Sequence, residues 1–114
     1  MIQLPEPATM KDYQDYIAQL ESKMGWTDVD LIHNCFLMGE EVGELFKSVR
    51  RVSRYFDQAG DHALDDQRKQ AVAEEIVDVF NYLMAIANRL EIDVEAAFRQ
   101  KNTHNQQRVW HDNP

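Results

Sequence analysis

The chain has 114 residues, a formal charge of −8 and an ordinary globular composition, which fits one domain with a single core, small enough to gain from association with further copies. So acidic a chain is a poor match for nucleic acid or an anionic membrane surface, and no apolar run reaches membrane-spanning length. The lone cysteine, Cys35, excludes an internal disulfide, and residues 1–7 lack the basic and apolar regions of a signal peptide, so the expected setting is a reducing cytoplasm.

A first helix is expected over about residues 9–24. Thr9-Met10-Lys11-Asp12 is a capping signal, Tyr13, Tyr16, Ile17, Leu20 and Met24 follow at helical spacing, and Gly25 is a stop. Thr27 and Asp28 offer the next cap. The second helix, about 30–56, carries an apolar stripe in which Leu31, Met38, Val42, Phe46 and Val49 share one side, expected to face inward. A polar loop around Gly60 follows. The third helix, about 66–90, is apolar on nearly every side between Ala71 and Ala87 and should be the most buried element. Asp93 caps a fourth, about 94–108, with Val94, Ala97 and Phe98 and, beyond it, Val109 and Trp110; the tail from His111 is expected to be loose. No stretch alternates like a strand. The fold class is therefore all-α, a four-helix bundle in one domain spanning 1–114.

Two carboxylate ladders stand out on these helices: Glu40-Glu41-Val42-Gly43-Glu44 on the second and Glu74-Glu75-Ile76-Val77-Asp78 on the third. Residues three apart on a helix are neighbours on one face, so each ladder presents paired oxygens. The first ladder alone has the pattern of a solvated helix face. The second does not, because Glu75 and Asp78 share a face with Val79, Tyr82 and Ile86, and the nearest basic residues, Lys69 and Arg89, stand at the helix ends. Acids in such surroundings must be protonated, paired or metal-bound.

A metal held jointly with Glu41 and Glu44 would satisfy both helices. No glutamate has a histidine three residues on, which removes the usual di-iron bundle pattern, and no cysteine or histidine stands in register for zinc. His33, His62, His104 and His111 form no ligand spacing. Four carboxylates without imidazole favour Mg²⁺, with Mn²⁺ as a substitute. Such ions keep waters and take phosphate oxygens as further ligands, which implies a polyphosphate substrate.

The sequence resembles the MazG-like group of all-α nucleoside-triphosphate pyrophosphohydrolases. The pattern of that group is Glu-Glu-x-x-Glu on one helix, matched by Glu40, Glu41 and Glu44, then Glu-x-x-Asp, matched by Glu75 and Asp78. A later Lys-x-x-x-Asn-x-x-Arg is matched by Lys101, Asn105 and Arg108. The match runs from about Leu31 to Arg108. The gap between ladders is at the long end for this pattern, and the polar loop around Gly60 accounts for it.

The resemblance implies Mg²⁺-dependent cleavage between the α and β phosphates of a nucleoside triphosphate, giving monophosphate and pyrophosphate, as nucleotide house-cleaning or pool control. It also implies a bundle of the pyrophosphohydrolase type completed as a homodimer or homotetramer. By carry-over, Glu41, Glu44, Glu75 and Asp78 are metal ligands. Glu40 orients or deprotonates the water, or only supports the ligands. Lys101, Asn105 and Arg108 grip phosphate, Arg108 with a bidentate fork.

Candidates for a base or sugar pocket are Asn34 and Leu37, one or two turns before Glu41, and Asn81 and Tyr82 beyond Asp78. Trp26 stands at the mouth of the second helix, where an indole could stack on a base. Each of these also has a packing or capping explanation. Two alternatives stay open: a phosphoribosyl-ATP or dUTP pyrophosphohydrolase, and a non-catalytic, metal-stabilised helical interaction module.

Overall fold

The computed structural model describes residues 1–59 and 66–108, with side chains outside 54–59. Four helices account for the fold: α1 (Met10–Met24), α2 (Leu31–Ala59), α3 (Asp66–Arg89) and α4 (Val94–Gln107). There is no strand among the described residues. The expected loop around Gly60, Val109, Trp110 and the tail lie outside or at the edge of what is described; the helical part of α2 runs through Ala59, three residues past the expected end.

Local chemistry explains where most helices begin and stop. Thr9 and Asp12 form a reciprocal capping box, Asp12 N donating to Thr9 Oγ1 at 3.1 Å and Thr9 N to Asp12 Oδ2 at 2.8 Å. α1 ends in a Schellman motif: Gly25 takes a left-handed φ of 75°, Trp26 N donates to Glu21 O and Gly25 N to Ser22 O. The cap of α2 is Asp30 rather than Thr27 or Asp28, since His33 N donates to Asp30 Oδ1 at 2.7 Å. α3 ends in a second Schellman motif with an unusual occupant. Ile92 N donates to Ala87 O, Glu91 N to Asn88 O, and Glu91, a residue with a Cβ, holds φ at 54°. Asp93 caps α4 through Ala96 N at 3.1 Å.

The long helices α2 and α3 form the main packed pair, and α1 lies against α3. The pair is antiparallel, because Asn34 meets Arg89 at one end while Glu41 meets Asp78 further along. The buried core is small: Ile17, Met84 and Ala85, flanked by Met10, Tyr16, Leu20, Phe80 and Val94. Tyr13 packs edge-on to Phe80 with ring centroids 5.7 Å apart. Gln14 ties three helices at once. Its Nε2 donates to Asn88 Oδ1 and Ile92 O, its Oε1 accepts from Val94 N, and its main-chain oxygen accepts from Asn88 Nδ2.

One expectation about burial needs correction. The face of α2 turned toward α3 is a seam at alternating spacings of three and four: Leu31, Asn34, Met38, Glu41, Leu45, Ser48 and Val52, all buried or half-buried. Phe46 and Val49, expected inside, lie on another face with Ile32, Phe36, Gly39 and Gly43, where Ile32, Phe36 and Phe46 are 63%, 71% and 73% exposed. The inward seam carries polar Asn34, Glu41 and Ser48, so the more apolar side of the helix is not the side that packs within the chain. The middle of α3 holds the buried Met84, Ala85 and Ala87, more than any other helix among the described residues and as expected of the most buried element, while Ile76, Val77 and Leu83 remain about half exposed. The middle of α3 is apolar on nearly every side, yet the described residues supply neighbours for only part of its circumference.

Candidate functional site

The inward seam of α2 puts Glu41 directly opposite Glu75 and Asp78 of α3. Each of the three offers a carboxylate oxygen, and these oxygens all lie within 4.8 Å of one another. Burial pushes the Glu41 carboxyl above its ordinary range; a hydrogen bond with Glu75 and the negative charges of Asp78, Glu75 and Glu44 push it the same way. No cation among the described residues acts on it. Glu75 Oε2 is buried and has no hydrogen-bond partner among the described residues. A buried, unpaired carboxylate oxygen amid like charge is costly, and an all-oxygen donor set of this kind suits a hard divalent cation. These residues fit such an ion.

The other first-ladder acids take different places. Glu44 is exposed one turn along α2, outside the three-acid group but near enough for its charge to act on Glu41. Glu40 is exposed beside the group and acts, with Glu41 and Asp78, on the Tyr82 hydroxyl, whose pKa is raised chiefly by burial and then by these charges. Glu74 points out and accepts from Gln70.

Next to the acids, α1, the α1–α2 connection, α2 and α3 enclose a cavity of about 400 Å³. All five residues expected to form a base or sugar pocket line it: Trp26, Asn34, Leu37, Asn81 and Tyr82. Its wall is otherwise mostly aliphatic. Leu37 precedes Glu41 by one turn and Tyr82 follows Asp78 by one turn, so the cavity and the acid group share one groove between α2 and α3. This is the usual form of a small-molecule site, an apolar hollow with a few convergent polar groups.

Two residues of this region were not among the sequence candidates. Arg89 Nη1 donates to Glu21 Oε2 at 2.8 Å, Nε to Val29 O at 3.1 Å and Nη2 to Trp26 O at 3.2 Å. The Asn34 amide, 3% exposed, turns its oxygen to the same guanidinium at 3.0–3.2 Å. Glu21 also lines the cavity. The available signal was spacing: Met10, Gln14, Ile17 and Glu21 form the inward seam of α1, so Glu21 is a charge on a packing face.

Lys101, Asn105 and Arg108 are on or at the end of α4, which packs chiefly on α1. Lys101 and Arg108 are exposed, and Asn105 is half-buried with its Nδ2 donating to Asn102 Oδ1. The single chain does not gather these three into the group formed by Glu41, Glu75 and Asp78. No helix among the described residues is long and apolar enough to cross a membrane.

Against known proteins, the chain is 31% identical over 105 residues to dCTP pyrophosphatase 1 of Rattus norvegicus, and equally to dCTP pyrophosphatase 1 of Mus musculus. The chain is a distant homologue of these proteins. The alignment takes in 91% of this chain and 60% of each relative, so the chain spans about three fifths of the length of the curated relatives it matches. No family model matches it.

Proposed function

We propose that the chain is a divalent-cation-dependent nucleoside-triphosphate pyrophosphohydrolase of the MazG-like type, hydrolysing (d)NTP to (d)NMP and pyrophosphate in a cytoplasmic setting. The observation that carries this reading is the junction of the three-carboxylate group with a base-sized cavity in one α2–α3 groove. The name of the two relatives points the same way, and makes dCTP the first substrate to try.

In this reading Glu41, Glu75 and Asp78, joined by Glu44, hold Mg²⁺ or Mn²⁺. When bound, such an ion neutralises triphosphate charge and lowers the pKa of a coordinated water. Trp26, Leu37 and Tyr82 pack on the base and sugar, while Asn34 and Asn81 offer amides. Glu40 stands where it can orient a water or accept its proton. Lys101, Asn105 and Arg108 grip phosphate oxygens when a neighbouring copy of the chain brings α4 to the groove.

That copy belongs to the proposal. The outward face of α2 exposes Ile32, Phe36 and Phe46, and a Cβ added at Gly39 or Gly43 would meet nothing among the described residues. Glycine inside a helix costs roughly 0.5–1 kcal/mol against alanine, and nothing among the described residues explains two of them. A second helix lying close across that face does, and makes a homodimer or homotetramer the working unit.

The test is a panel of ribo- and deoxyribonucleoside triphosphates, with dUTP and phosphoribosyl-ATP included, assayed with Mg²⁺, Mn²⁺ and chelator and with product identification. Cation-dependent release of monophosphate and pyrophosphate is expected. If the whole panel is left intact, the reading fails and the acids are part of a helical interaction module.

A further inference from the structure

The cavity has one charged wall. Of the described residues lining it, Glu21 alone carries a charge, and its side chain is 13% exposed. Its Oε2 is held by Arg89 at 2.8 Å. Arg89 in turn spends its donors on Glu21, on the Asn34 side-chain oxygen and on the main-chain oxygens of Val29, Trp26 and Ala85. The guanidinium is therefore committed to holding the wall and is not itself presented to a ligand. A carboxylate has only acceptors, about four lone-pair sites, and one hydrogen bond from Arg89 leaves capacity unused.

Position decides what Glu21 would read. Asn34, which meets the same Arg89, precedes Glu41 by seven residues, or roughly 10 Å of helix rise. Phosphates lying on the acid group thus place the base with its sugar-distal edge toward Glu21. In a pyrimidine the substituent furthest from the sugar is on C4, across the ring from N1; in a purine the corresponding group is on C6. Cytosine and adenine carry an amine there, and uracil, thymine and guanine carry a carbonyl. A carboxylate accepts from the amine, as Glu and Asp do from cytosine N4 in nucleic-acid readout. It opposes a carbonyl with two acceptors facing each other in a largely apolar hollow, and an unmatched buried polar group is what gives such sites their discrimination.

Building on the proposed nucleotide hydrolase, we infer that Glu21, clamped by Arg89, is a specificity-determining residue that selects bases carrying an exocyclic amine at the sugar-distal position. The experiment measures kcat/KM for dCTP, dUTP, dTTP, dATP and dGTP with the intact chain and with Glu21→Gln. The intact chain is expected to favour dCTP over dUTP by at least about tenfold, and the variant to cut that ratio by at least about tenfold, mainly through KM for dCTP. A loosened fold would depress all substrates together and leave the ratio unmoved, so the ratio separates reading from packing. The comparison of dCTP with dATP tells whether the amine is read on a pyrimidine or a purine.

Equal kcat/KM for amine- and carbonyl-bearing partners in the intact chain overturns the inference, whether or not the variant folds. So does an unchanged ratio in a folded variant. Should no triphosphate be hydrolysed, the proposed activity falls instead, and calorimetry with dCMP and dUMP judges the inference: tighter dCMP upholds it, and equal or undetectable binding overturns it.

Discussion

At the scale of single residues, Glu41 is the most exposed to test. Glu41→Gln keeps shape and removes one ligand, so kcat/KM is expected to fall by at least about a hundredfold, while the helical circular dichroism stays. In chelator the same change should raise the thermal midpoint, because it removes one of three like charges within 4.8 Å. The pH dependence has a definite sign. The folded state holds the Glu41 proton more tightly than the unfolded chain does, so stability without metal is fullest below the ordinary carboxylate range and declines as pH rises through the elevated value. Glu41→Gln should flatten that decline. A midpoint in chelator that rises with pH over this window would refute the assignment. Glu41, Glu75, Asp78 and the helical cavity residues Asn34, Leu37, Asn81 and Tyr82 could be picked out because they repeat along helix faces with the ladders, and Trp26 because it stands at the mouth of α2. Glu21 and Arg89 could not: the two residues are 68 apart in sequence, and only folding brings them together.

At the scale of elements, helix limits followed from caps that the sequence states openly, Thr9, Gly25 and Asp93. The α3 terminus did not announce itself, because a glutamate occupies the left-handed position that glycine usually takes. Glu91→Gly should therefore stabilise the chain by about 1 kcal/mol, read as a shift of the denaturant midpoint without a change of slope. Gln14 has the opposite role. Gln14→Leu fits the buried site but strips partners from Asn88, Ile92 O and Val94 N, and should cost about 1–3 kcal/mol in the same assay. The orientation of α2 was the hardest element to read. Hydrophobic count favours the face with Phe36 and Phe46, whereas the seam that packs on α3 contains an amide, an acid and a hydroxyl. A wheel cannot tell which of two partly apolar faces meets its own chain.

At the scale of the whole molecule, few apolar side chains are deeply buried among the described residues, and a domain of this size depends on what further surface it can cover. Phe36→Glu and Phe46→Glu should reduce the mass seen by sedimentation to that of one chain and lower hydrolysis with it. A monomeric native protein with full activity would sink the oligomer. The all-α class was legible from periodicity, but which neighbours cover the middle of α3 was not, since it is apolar on nearly every side and gives no preference between internal and external ones.

The two seams of α2 also bear on how this chain can vary. Between them runs a narrow strip, His33, Lys47 and Arg51, that is exposed and polar. In a saturating substitution library scored for function, tolerance along α2 should collapse onto that strip. Asn34 and Ser48 should resist leucine as firmly as Phe36 and Phe46 resist lysine. With a second copy on its outer face, as proposed above, α2 is used on both sides and is expected to change more slowly than α4, which has no buried residue of its own.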